Sequence, residues 1–171
     1  MKLNSHGQSL VEFALAGLVF FSLLFAVIDL GFMFYANLTM QHAVREGTRY
    51  AVTGQSNACG NPNDRRGALI QVIKNSSNGL YDKNLTNHDH PCAPPDYNNP
   101  AISVITPSNV TFSNYSGTPA AGNPGNPNDI IVVSLSYTWP LVTPILKPFF
   151  PGGKYSFTVK STMKNESFPT S

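Results

Sequence analysis

The chain has 171 residues, with 11 Lys and Arg against 9 Asp and Glu, and only 12% of it is charged. That weakly positive balance contains no Lys/Arg cluster able to track a phosphate backbone, which argues against nucleic acid as a partner. Beyond Val52 the polar positions fall mostly to Asn, Ser, Thr, Gly and Pro, the composition of a loop-rich exported domain rather than of a cytoplasmic one.

The first predicted element is a membrane anchor. Residues 10–35 are almost wholly apolar, and the uncharged stretch 13–28 is bounded by Glu12 and Asp29. At about 1.5 Å per residue the two carboxylates stand about 25 Å apart along a helix. The hydrocarbon core is about 30 Å thick, so one carboxylate falls near each membrane edge. Phe34 and Tyr35 suit the outer interface. A buried structural helix fits poorly, because this run is apolar on every face and a small protein cannot cover it all round. A cleaved secretory signal also fits poorly: Ala14-Leu15-Ala16, the one Ala-x-Ala, opens the apolar run instead of following it. The expectation is a retained single-pass helix over residues 8–35 with the lipid bilayer as its surroundings.

Flanking charge barely sets the orientation, with Lys2 on one side and Arg45 and Arg49 against Glu46 on the other. The short N-terminus, a Cys59–Cys92 pair read as a disulfide and the Asn/Ser-rich C-terminal region favour a cytoplasmic N-terminus and a domain outside. Asp29 reads as a helix-edge carboxylate reaching head-group water. Glu12 is more informative. An ionisable group at the edge of a span is usually functional or paired, and a plain tether does not need one.

Residues 36–54 are expected to continue the helix. Met40, Val44, Gly47 and Ala51 share one face suited to packing under a domain, and Leu38, Gln41 and Arg45 share another. Arg45, Glu46 and Arg49 form a charged patch that would contact a neighbouring subunit or be a solvated face. Gly54 is the predicted stop.

Residues 55–171 form the predicted outer domain. At about 117 residues it suffices for one modest core. The loop 56–65 holds Cys59, a short helix is predicted over 66–75, and 76–100, which holds Cys92, is irregular. An even pair of cysteines in an exported domain reads as one disulfide, Cys59–Cys92. It would close a loop of about 33 residues, worth roughly 3–4 kcal/mol on the chain-entropy view. Strands follow at 101–106 and 110–115, then a Gly/Pro-rich loop over 116–129. The clearest strand is 130–139, with Ile131, Val133, Leu135, Tyr137 and Trp139 facing in and Ser134, Ser136 and Thr138 facing out. Tyr155, Phe157, Val159 and Met163 repeat the alternation in a last strand. Between these two strands lies 141–150, rich in Pro and apolar residues. It is expected to cap the core, with an exposed patch for lipid or a partner as the alternative. The fold class is therefore α+β: a long N-terminal transmembrane helix extending into a small domain whose antiparallel sheet packs on it, a pilin-like arrangement.

No catalytic constellation emerges. The chain lacks a Gly-x-Ser-x-Gly elbow, a phosphate-binding glycine loop and a His-Glu-x-x-His pair. His88, His90 and Cys92 alternate, but their stretch is loop-like and the cysteines are better used in a disulfide, so neither a metal nor a cofactor is expected.

The segment Gly7-Gln8-Ser9-Leu10-Val11-Glu12-Phe13 resembles the processing site of type IV prepilins and pseudopilins. The resemblance implies cleavage between Gly7 and Gln8, a leader of residues 1–7, and Glu12 as the fifth mature residue, paired with the amine of a neighbouring subunit. Gln8 departs from the aromatic or methionine often found first. Adding Ala14-Leu15, Ile28-Asp29-Leu30-Gly31, Tyr35-Ala36, 43–51 (Ala-Val-Arg-Glu-Gly-Thr-Arg-Tyr-Ala) and the tail Met163-Lys164-Asn165-Glu166, the chain resembles the TadE-like family of the tight-adherence (Flp) pilus assembly system. That resemblance implies a non-enzymatic minor pseudopilin in the bacterial inner membrane. Glu12, Phe13 and Asp29 would be assembly residues. The implied partners are the major pilin, other minor pseudopilins, the prepilin peptidase and the inner-membrane assembly platform. The competing reading is a membrane-tethered binding or envelope-structural protein with no filament role.

Overall fold

No proline interrupts residues 5–52, and they form one α-helix, α1 (Ser5–Val52), of 48 residues, about 72 Å long. The computed structural model describes residues 5–56, 64–84, 102–105, 118–119, 125–144 and 146–168. The remaining elements are α2 (Arg65–Ser76), a helical turn α3 (Tyr81–Asn84), β1 (Ile102–Ile105), β2 (Thr118–Pro119), β3 (Ile130–Pro140) and β4 (Lys154–Lys164). The strands form one sheet in the order β2-β1-β3-β4. The architecture is α+β, as expected.

The chain divides into two compact units. One joins the first part of α1, to Tyr35, with Trp139–Tyr155; the other joins Ala36–Thr138 with Ser156–Ser171. In the first unit α1 is exposed from Gly7 through Ala16 and over most of its remaining apolar length. None of its most apolar window is buried within the chain, and it is long and apolar enough to cross a membrane.

In the second unit the rest of α1 turns one face inward. Ala36, Met40, Ala43, Val44, Thr48 and Ala51 are fully buried, whereas Leu38, Gln41 and Arg45 stay exposed, so the predicted division of faces holds. Gly47 matters sterically: a Cβ there would run into Ile73 and Leu69 of α2. α2 starts one residue before the expected helix because Asp64 caps it, its carboxylate accepting from the Gly67 amide at 2.7 Å. Leu69, Ile70 and Ile73 complete the helical side of the core.

β1 pairs antiparallel with β3, Ile102 opposite Val133 and Ile105 opposite Ile130. On β3, Ile131, Val133, Leu135 and Tyr137 are buried, while Trp139 is only half-buried. Tyr137 lies 5.3 Å from the Phe157 ring of β4. On the other face the hydroxyls of Ser136 and Thr158, and of Thr138 and Ser156, meet at 3.1 Å.

Three expectations change. The predicted loop 116–129 contributes β2, whose Pro119 is opposite Ser103; a proline suits an edge strand, since it has no amide to offer the ladder. The predicted irregular stretch 76–100 contains α3, where Tyr81 is buried and its amide donates to the Ser77 hydroxyl at 3.2 Å. The segment 141–150 does not act as a core cap. It groups with the anchor, and only Leu141 and Thr143 of its described residues are buried. The predicted strand 110–115 lies outside the described residues.

Candidate functional site

The anchor places Glu12 on an open helix face. Glu12 is exposed, and Gln8 Nε2, one turn earlier, donates to its Oε1 at 3.3 Å. Phe13 beside it is 78% exposed. Gly7 is exposed within the helix, and an added Cβ would meet nothing within 4 Å. The peptide bond between Gly7 and Gln8 thus lies on an uncovered helical turn.

Asp29 is arranged differently from the expected head-group carboxylate. It is 3% exposed. The amide of Thr143 donates to its Oδ2 at 2.8 Å, and the amide of Val142 donates to its carboxylate at 3.1 and 3.3 Å. The Thr143 hydroxyl donates to the Phe25 carbonyl at 3.3 Å. Two consecutive amides aimed at one carboxylate make a charge-assisted contact, which fastens residues 142–143 across α1. The sequence gives the carboxylate but not this partner, because the donors are backbone groups with no residue signature.

Arg45 and Arg49 are exposed and Glu46 is half-buried. Among the described residues none of the three is ion-paired. Arg45 borders a small polar hollow with Gln41, Thr158, Lys160 and Ser161, so it stands beside β4.

Residues 7–49 match the family model described as TadE-like protein. This segment of the chain is similar to the TadE-like family. The match begins at Gly7, takes in Gln8, Glu12, Phe13, Asp29 and the Arg45–Glu46–Arg49 patch, and supports a pilus-associated protein in general. No curated protein and no solved structure matches the chain.

The TadE-like segment stops just short of the helix end, where Gly54 is the stop the sequence predicted and the structure adds Arg65 and Phe168, which the sequence did not single out. Gly54 takes φ +73 and its amide donates to the Ala51 carbonyl at 3.1 Å. Arg65 Nη2 donates to the same carbonyl at 3.0 Å, and Nη1 donates to Gly125 O. Its guanidinium lies 4.2 Å from the centre of the Phe168 ring. Burial holds the Arg65 guanidinium below arginine's usual pKa. The Glu166 amide donates to Val52 O at 3.1 Å. The tail motif Met163-Lys164-Asn165-Glu166 therefore closes the end of α1. Its sequence signal was visible without its role.

Cys59, Cys92, His88 and His90 lie outside the described residues. Among the described residues no group of three His, Cys, Asp or Glu side chains is placed to hold a metal.

Proposed function

We propose that this chain is a minor pseudopilin supporting assembly of a tight-adherence type IVb pilus. The observation that carries the reading is the coincidence of the TadE-like match over residues 7–49 with an open helix that carries an accessible Gly7–Gln8 bond in its first turn and exposes Glu12. In this reading a prepilin peptidase cuts after Gly7 from the cytoplasmic side. The new amine of Gln8 in one subunit then meets Glu12 of its neighbour. A carboxylate taken into an apolar helix bundle is costly alone and tolerable beside a cation, so the pair fixes which helices pack and in which register.

The helix sits in the inner membrane before assembly, with the outer domain on the periplasmic or extracellular side. The major pilin, other minor pseudopilins and the assembly platform are its partners, and the chain performs no catalysis. Phe13 gives the contact apolar area, and Arg45 and Arg49 offer a second contact beyond the membrane. Asp29 contributes by shaping the surface its own chain presents. In the extracytoplasmic compartment Cys59 and Cys92 pair. Co-purification with the pilus components tests the reading. Glu12→Ala should lose association while the outer domain stays folded; undiminished association would contradict it.

A further inference from the structure

Residues 141–150 have the chemistry of a membrane-contacting segment. Val142 and Phe149 are 75% and 79% exposed. Pro144 and Pro148 are exposed beside them, and Lys147 is the one charged residue in the stretch. Irregular backbone at membrane depth is tolerated when its polar groups are satisfied inside the protein, and six amides among the described residues of this stretch have acceptors within the chain. Pro144, Pro148 and the following Pro151 have no amide to satisfy. The amides of Leu141, Leu146, Phe149 and Phe150 donate to the carbonyls of Gly153, Thr143, Leu146 and Lys147 at 3.0–3.2 Å. Those of Val142 and Thr143 donate to Asp29. The exchange is reciprocal: Asp29 would be a costly carboxylate at the apolar edge without donors, and the two amides would be costly without an acceptor.

Contact with α1 sets the depth. Thr143 reaches the Phe25 carbonyl, one turn inside the edge marked by Asp29. Thr143 and Pro144 also border an apolar groove that runs along α1 past Phe25, Phe21, Leu18 and Phe13.

We propose that residues 141–150 are a second lipid-contacting element, strapped to the anchor by Asp29, with Val142 and Phe149 among the acyl chains of the outer leaflet. Lipid is the occupant because the exposed apolar surface of the strap continues that of the anchor. Lys147 fits the same placement. Its stem lies against Gly153, 3.2–3.5 Å from a Cβ built there, and its ammonium can reach head-group phosphates. The inference rests on the anchor crossing a bilayer and is independent of any pilus role.

The test uses the full chain in vesicles of phosphatidylethanolamine and phosphatidylglycerol, with photoreactive benzoylphenylalanine in place of Phe149, Phe20 or Gln71, an exposed residue of α2. Lipid adducts at position 149 are expected at a yield close to that at position 20, with none at 71. Asp29→Ala should lower the yield at 149 and leave that at 20 unchanged. If position 20 reaches lipid while position 149 gives only protein adducts, or none, the strap inference is overturned and the anchor stands. If alkaline extraction releases the chain, or position 20 fails to reach lipid, the anchor reading falls and the strap inference with it.

Discussion

Asp29 and Thr143 are 114 positions apart in the chain, yet the Thr143 amide donates to the Asp29 carboxylate at 2.8 Å. The contact explains how a carboxylate at the end of an apolar span can be buried: two successive backbone amides donate to it. The two acids that bound the apolar run are thus placed differently. Glu12 is exposed, and Asp29 is spent inside its own chain.

Removing that acceptor should free the strap. Asp29→Ala leaves the Val142 and Thr143 amides without a partner, at about 1–3 kcal/mol for the buried Thr143 donor and less for the part-buried Val142 one. Hydrogen exchange at these two amides should accelerate sharply, with Asp29→Asn, which keeps one carbonyl acceptor, falling between. Unchanged exchange in the alanine variant would contradict the latch.

Gly47 should tolerate substitution far less well than Gly7 or Gly17. A Cβ at Gly47 collides with Ile73, whereas nothing lies within 4 Å of one at Gly7 or Gly17. Gly47→Leu is expected to destabilise the outer domain by about 1–3 kcal/mol through overpacking. Gly47→Ala combined with Ile73→Ala, which removes the colliding Cγ1, should show a favourable coupling that offsets part of the two separate losses, measured by thermal unfolding as a double-mutant cycle.

These contrasts show which layers of the structure the sequence carried. The inward face of β3 was legible because Ile131, Val133, Leu135 and Tyr137 alternate with polar residues, and period-two alternation has one meaning once a face is buried. The helix extension was legible through Met40, Val44, Gly47 and Ala51 for the corresponding helical reason. β2 was hidden because two residues carry no periodicity and a proline argues against a strand. The role of residues 141–150 was hidden too, since an apolar Pro-rich stretch reads alike as core cap or lipid contact, and long-range backbone donors leave no mark on composition. At the candidate site, Glu12 and Gly7 were visible by motif. The seating of Arg65 against Ala51 and Phe168 was not, because it joins three distant stretches of chain.

Arg65 should hold the end of α1. Arg65→Ala removes two hydrogen bonds to carbonyls and a ring contact. Hydrogen bonds to a charged group contribute about 1.5–3 kcal/mol each when unscreened, and partial solvent access here places the combined loss at about 2 kcal/mol. Chemical denaturation of the outer domain measures it, and Arg65→Lys should recover only part, because a point ammonium cannot fork between two carbonyls.

Cys59 and Cys92 should titrate as no free thiol in protein taken from the extracytoplasmic side. Reduction, or Cys59→Ser with Cys92→Ser, should lower stability by roughly 3–4 kcal/mol. Two alkylatable thiols in native protein would contradict the pairing.

The most direct measurement is the mass of the mature N-terminal peptide, taken from cells that make the pilus system. The account expects a chain beginning at Gln8, and retention of the leader in Gly7→Ala with α1 otherwise intact. An intact Met1, or a chain starting beyond Asp29, would contradict it.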